Sequence, residues 1–391
     1  MTLQQHFEPS ACKRILALDG GGIRGALTLG YLQRIEDILR EQHGNDNNFR
    51  LCDYFDLIGG TSTGSIIASC LAIGMKVEEI TALYMKLGGR IFSGKYKWWN
   101  IFNLDELVKA GYDEGPLEEE LQEVFGDITL SSGKIKTGLC IVTKRADTNS
   151  LWLLLNHPKG KYFNSEYGKN GDILLWKAVR ASTAAPSYFI PQVIDVGGGM
   201  PAGAFVDGGV SMANNPALNL LMVATLKGFP FHWDMGPDKL LLVSIGTGMG
   251  KATRLPDDIT DNHLLNWAKE IPDMFMQDAS WHNQLLLQWM SKSPTAWEID
   301  GEIGKLENDL MVVDKDKRGL FAYLRYNIWL EANTLQQLMG KQYSREQIND
   351  LVEMSNAESR FELYEIGVKA AAGQIEKSHF VKKETDKLVG A

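Results

Sequence analysis

Apolar positions in the first seventy residues switch between two periods. RILALD, from Arg14, is a short apolar run closed by glycine, the pattern of a buried strand. In ALTLGYLQRIEDILREQ the apolar residues Leu27, Tyr31, Leu32, Ile35, Ile38 and Leu39 recur at helical spacing, and GNDNN from Gly44 ends that helix. YFDLIGG then predicts a second buried strand, and TGSIIASCLAIG a helix closed by Gly74. A β-α-β-α opening of this kind implies a parallel sheet.

Further strand candidates follow at Leu139 to Thr143, Leu151 to Leu155, Ala204 to Val206 and Leu240 to Gly246, so an α/β domain is predicted over residues 13–250. Residues 251–391 form a mostly helical region packed on that domain. Leu264, Leu265, Trp267, Ile271, Met274, Phe275, Leu285 and Trp289 predict helices, and Leu320 to Leu330 looks strand-like. Ser344 to Gln347 has the form of a capping box, and two helices complete the chain. The aromatic and Met-rich stretches read as packing surface.

Composition narrows the function classes. With 391 residues, 44% hydrophobic and 23% charged, and with no linker, repeat or low-complexity tract, the chain has ample material for a packed interior. MTLQQHFEPSACKR lacks an apolar signal region, and no stretch approaches the roughly 18 uninterrupted apolar residues of a membrane span, so a soluble cytoplasmic protein is expected. Cys12, Cys52, Cys70 and Cys140 are scattered without a C-x-x-C pair and read as packing residues in a reducing compartment. A net charge of -9 argues against binding DNA or RNA polymers, although a local basic pocket for a small anion stays open. The acidic run DEGPLEEELQE, Asp113 to Glu123, is spaced as a solvated helix face rather than a calcium site.

Two glycine clusters carry candidate chemistry. The second strand runs into GGTSTGSI, where Gly60, Ser62 and Gly64 form G-x-S-x-G between a strand and a helix. A nucleophile elbow needs small residues on both sides of the serine because the backbone approaches itself there, and the following helix points its positive end at the new anion. Serine also needs a base. Asp207, in AFVDGGVSMANNP, stands at a candidate strand end before Gly208 and Gly209, although an ordinary turn aspartate fits the local sequence equally well. In water its pKa of about 3.9 makes it a poor base, and a dry pocket would improve it.

The loop DGGGIRG satisfies the G-x-G-x-x-G spacing of a dinucleotide site at Gly20, Gly22 and Gly25, yet such a site calls for an acid at the end of the second strand. That strand ends in Gly-Gly-Thr-Ser. The loop therefore reads better as an oxyanion cradle, with the amides of Gly21 and Gly22 near the developing charge and Arg24 adding positive potential or fixing the loop.

DGGGIRG, GTSTG and DGG in this order resemble the patatin-like phospholipases. KAVRASTAAPSYFIP (Lys177 to Pro191), LVSIGTG (Leu242 to Gly248) and YLRYN are similar to further segments of that family, so the likeness covers most of residues 13–250 and touches the C-terminal arm. The resemblance implies a three-layer α/β/α fold with a mostly parallel central sheet and additional C-terminal helices. It implies a lipid acyl hydrolase of phospholipase A type using a Ser-Asp dyad. Ser62 matches the family nucleophile, Asp207 its proton acceptor, and the Gly20 to Gly25 loop its oxyanion hole. No catalytic histidine, metal or organic cofactor is expected, and the substrate is membrane phospholipid reached from the inner face.

Some bacterial members similar in size and plan act in anti-phage defence, where a cyclic dinucleotide or related oligonucleotide switches on phospholipid breakdown. The region from Lys251 to Gly304, with Arg254, Lys317, Arg318 and Arg325, is a candidate regulatory pocket or homo-oligomer surface, with solvated charges the plainer reading. SGKYKWWNIF, from Ser93 to Phe102, interleaves lysines with Trp98 and Trp99 as an interfacial loop would, and buried aromatic packing explains it as well. Two other functions compete. One is a Ser-His-Asp esterase of α/β-hydrolase type using His232 or His263, which the two strand candidates ahead of Ser62 disfavour because that fold places several there. The other is lipid binding without hydrolysis.

Overall fold

β1 (Lys13–Leu18) and β2 (Leu57–Thr61) run side by side in parallel with Leu18 opposite Gly60, so the two glycine-rich turns that follow them open at the same edge of the sheet. The computed structural model describes residues 1–10, 12–93, 115–186, 188–250, 260, 264–314 and 317–381. Arg254, His263 and the Trp98–Trp99 stretch lie outside the described residues.

Five strands form the parallel part of the sheet. β3 (Gly138–Arg145) pairs with β2, β7 (Gly236–Ile245) pairs with the far side of β1, and β10 (Phe321–Tyr326) pairs with β7. An antiparallel wing continues from β3 through β4 (Ser150–Leu155), β5 (Gln192–Ile194) and β6 (Gly203–Asp207). A separate ribbon joins β8 (Val312–Asp314) to β9 (Lys317–Arg318).

Alternation along the strands makes the layers. Leu16 and Leu18 of β1 face one apolar cluster while Ile15 and Ala17 face another, because successive side chains leave a strand on opposite sides. α1 (Leu3–Phe7) adds Phe7 to the second cluster. The first cluster is closed by α2 (Gly25–Gln42), α3 (Leu51–Tyr54), α4 (Thr63–Ala72), α5 (Val77–Ser93), α6 (Gly115–Phe125) and α7 (Leu175–Ser182). α8 (Ala217–Thr225) and α9 (Leu264–Met290) cover the second. The chain ends in α10 (Ala332–Met339), α11 (Arg345–Val352) and α12 (Arg360–Gln374), with the Ser344 capping box in place. This is the three-layer α/β/α arrangement. All four cysteines are buried thiols outside any disulfide, and burial pushes those of Cys52, Cys70 and Cys140 up to about 12, so these three are inert packing groups.

The strand-like stretch from Leu320 contains β10, which is buried at all six positions and extends the same sheet, and α12 lies along α2. One expectation needs correction: the acidic helix α6 is not wholly solvated. Glu120 is buried and ion-paired with Lys86 and Arg90 of α5, two cations distant in sequence that no local spacing reveals.

Among the described residues no helix is long and apolar enough to cross a membrane, and no cluster of metal-binding side chains occurs.

α2 and α12 cross backbone to backbone. A Cβ on Gly30 would overlap the main chain at Gly367, and one on Gly367 would overlap the Leu27 carbonyl. Gly367→Leu is therefore expected to destabilise the fold by about 2–3 kcal/mol in chemical denaturation, as overpacking of a closed core does.

Candidate active site

The turn after β2 is strained. Ser62 has φ 54° and ψ -126°, a conformation that non-glycine residues seldom adopt and that persists only where surroundings enforce it. The surroundings are visible. A Cβ on Gly60 would overlap the Gly64 carbonyl, and one on Gly64 would overlap the Leu18 carbonyl at the end of β1. The two glycines of G-x-S-x-G are thus required by the elbow folding on itself and against its neighbouring strand. The Ser62 amide donates to Ser182 Oγ at 2.9 Å, and Ser182 Oγ donates to the Val142 carbonyl at 2.7 Å, tying the elbow to α7 and β3.

Asp207 ends β6 opposite Thr143 of β3. Gly208 fits against the Val142 carbonyl where a Cβ would not, and the Gly209 amide donates to Asp207 Oδ1 at 2.7 Å. Ser62 lines the same cavity as this carboxylate, and its hydroxyl is one of the two groups that oppose the rise in the Asp207 pKa. Burial, at 4% exposure, pushes the Asp207 carboxyl up to about 6 against the opposing pull of these two groups.

The glycine loop reaches the pair from β1. The Gly20 amide donates to the Asn214 carbonyl at 3.0 Å, and the Gly25 amide donates within its own turn to Gly22 and Ile23. Among the described residues the amides of Gly21 and Gly22 have no protein acceptor, and both glycines line one cavity with Ser62 and Asp207. Gly20 and Gly25 therefore shape the loop rather than offer donors, which corrects their expected part in the cradle: spacing cannot tell which amides are already engaged. A Cβ on Gly25 would overlap Thr63 and Tyr84, so its smallness is a packing need. Arg24 is not among the lining residues; its charge acts on Asp19.

The cavity has a volume of about 120 Å³ and largely apolar walls that include Ile66, Leu87, Leu117, Phe189 and Met276. Such walls suit an apolar group, and Ser62 and Asp207 are the polar side chains set among them together with Thr63, Tyr84, Thr183, Tyr188 and Asn214. No described histidine lines it. His232 is exposed, its ring against the Lys227 carbonyl.

Several further residues support the loop. Tyr84 Oη donates to the Gly22 carbonyl, Thr247 Oγ1 donates to the Gly20 carbonyl at 3.0 Å, and the Ile23 amide donates to the Met354 carbonyl at 2.9 Å. Asn214 lines the cavity beside Gly20 and Gly209. Arg325 overturns an expectation. Proposed as part of a ligand pocket or a solvated surface, it is 2% exposed and binds Asp19 bidentately at 3.0 and 2.6 Å, because β10 lies inside the sheet.

Residues 16–221 match the family described as patatin-like phospholipase. A cGAMP-activated phospholipase of Vibrio cholerae is 35% identical over 52% of this chain and 55% of its own length. A cUMP-AMP-activated phospholipase of Escherichia coli is 30% identical over 63% of this chain and 68% of its own, and patatin-like protein 4 of Arabidopsis thaliana is 28% identical over 76% and 78%. The match to the Vibrio protein thus spans little more than half of that relative's length.

The Asp207 environment has a thermodynamic consequence. Below pH 3.8 the carboxyl is neutral both folded and unfolded, whereas above about 6 the folded state alone holds a poorly solvated charge. The group thus destabilises the fold as pH rises through about 6, by about 3 kcal/mol at pH 8. Asp207→Asn is expected to raise the urea midpoint at pH 8 and to give little gain at pH 4.

Proposed function

The chain belongs to the patatin-like phospholipase family, and from that premise we propose that it is a lipid acyl hydrolase of phospholipase A type, with Ser62 as nucleophile and Asp207 as its base. The observation that carries this reading is that Ser62 on its strained elbow and the buried Asp207 line one apolar cavity together with two unengaged amides.

In this mechanism the ester carbonyl sits between Ser62 Oγ and the Gly21 and Gly22 amides. Asp207 takes the hydroxyl proton as Oγ attacks, and the tetrahedral oxyanion develops against amides already aimed at it, so little reorganisation is needed. The positive end of α4 favours the same charge. Collapse expels the lysolipid or alcohol, which takes its proton from Asp207, and leaves an acyl ester on Ser62. Water, deprotonated by Asp207, attacks that ester through a second oxyanion and frees the fatty acid. A carboxyl raised toward neutrality is a stronger base than one in water yet still mostly ionised at pH 7. In this reading a triad is not required: Asp207 shares the cavity with Ser62, whereas His232 is exposed and does not line it.

The substrate class is membrane phospholipid, approached as a peripheral protein from the cytoplasmic face. The relatives named for activation by cGAMP and cUMP-AMP support control of this chain by a cyclic oligonucleotide as well.

Purified protein incubated with mixed phospholipid vesicles, with and without a panel of cyclic dinucleotides, should release fatty acid detectable by mass spectrometry. Ser62→Ala is expected to abolish release, and the rate should fall about tenfold per pH unit below about 6 as Asp207 takes up its proton. Activity that survives Ser62→Ala would sink the assignment; indifference to every nucleotide would remove only the control.

A further inference from the structure

The glycine loop is held by residues far along the chain, beyond residues 16–221. Asp19, the residue before Gly20, is gripped by Arg325 of β10, which also donates to Ser244 Oγ of β7 at 2.7 Å. Thr247 holds the Gly20 carbonyl. On the other side of the loop the Met354 carbonyl takes the Ile23 amide and occupies the space a Cβ on Gly22 would fill, and Gly22 itself sits at φ 57°. Ser244, Thr247, Arg325 and Met354 all lie beyond residue 221.

We propose that the C-terminal arm is a clamp on the oxyanion loop, with Arg325 as the positioning residue and the turn at Met354 as the opposing jaw. The inference rests on the reading that Gly21 and Gly22 receive the oxyanion. Geometry gives the reason. A loop of consecutive glycines has wide conformational freedom, so its two free amides converge on one point only if both flanks are fixed. Asp19 fixes the entry. Its two carboxylate oxygens meet two guanidinium nitrogens in a planar fork, which sets orientation as well as distance. The Ile23 to Met354 hydrogen bond fixes the exit, immediately before α2 begins. Loosening Arg325 therefore moves the amides while leaving Ser62 and Asp207, which are held by Ser182 and Gly209, in place.

The test follows Ser62 phosphonylation by a fluorophosphonate probe, a reaction that also builds negative charge on an oxygen facing the loop. Rates are compared for wild type, Arg325→Lys, Arg325→Met and the double variant Asp19→Asn with Arg325→Met, each with its pH profile and thermal melt. Arg325→Met should lower the maximal labelling rate about 100-fold with probe affinity changed less than about twofold. The pH midpoint near 6 should not move, because Asp207 is undisturbed. Arg325→Lys, which cannot form the fork, should recover part of the rate. The double variant removes the buried lone charge, so it should regain melting temperature without regaining rate. A double variant that recovers rate together with stability would overturn the clamp. So would an Arg325→Met protein labelled at the wild-type rate. Labelling that persists in Ser62→Ala would instead count against the functional reading and leave the clamp's geometry as it is.

Discussion

The site depends on how closely the ends of β1 and β2 approach. Their parallel pairing sets Leu18 beside Gly60, and the elbow then lays Gly64 on the Leu18 carbonyl with no room for a side chain. That contact forces Ser62 to positive φ and, in the same step, brings the turn after β1 within reach of the serine. Gly60 and Gly64 are thus consequences of a single close approach, Gly20 fits between Asn214 and Ser62, and a methyl group at any of them would push the elbow or the loop out of place. The strain at Ser62 is stored in that packing and held by the hydrogen bond from its amide to Ser182.

Two buried aspartates flank this point, and their partners divide their roles. For Asp19, burial raises the carboxyl and the bidentate guanidinium pulls it back, so the group serves as an anchor with both oxygens occupied. Asp207 has no cation beside it among the described residues; the Gly209 amide donates to it, and the Ser62 hydroxyl shares its cavity. It is left with a raised affinity for a proton and a place beside Ser62, the properties a base needs. Environments that push two carboxylates toward different tasks are a common basis of acid–base assignment.

The order of strands and helices was legible because buried strands and amphipathic helices impose their periods on the chain, as in RILALD and in α2. Ser62 was legible because the elbow demands glycine at two fixed offsets. Asp207 was legible only through the family resemblance, since an aspartate before two glycines is also an ordinary turn. The supports were not. Ser182, Asn214, Thr247, Arg325 and Met354 meet the site across separations of more than a hundred residues, and a single polar side chain or a main-chain carbonyl leaves no periodic trace. Arg325 and Glu120 were read as solvent-facing charges for the same reason: their counter-ions come from other elements of the fold.

The clamp bears on how such an enzyme is held in check. If Ser62 and Asp207 act as proposed, both already line the cavity in the described residues, so an inactive state does not require taking them apart. It requires only that two glycine amides turn away from the carbonyl oxygen. A hundredfold change in rate corresponds to about 3 kcal/mol at the transition state, which is also the upper range of coupling between distant sites. One buried fork and one main-chain hydrogen bond are interactions of that order. Both jaws belong to the C-terminal arm, so a ligand or partner that shifts this arm by a fraction of an ångström would act on the chemistry directly, without a lid and without touching Ser62. Under this account the loop's alignment depends on the arm, and residues 16–221 carry Ser62 and Asp207 while the arm holds the loop beside them.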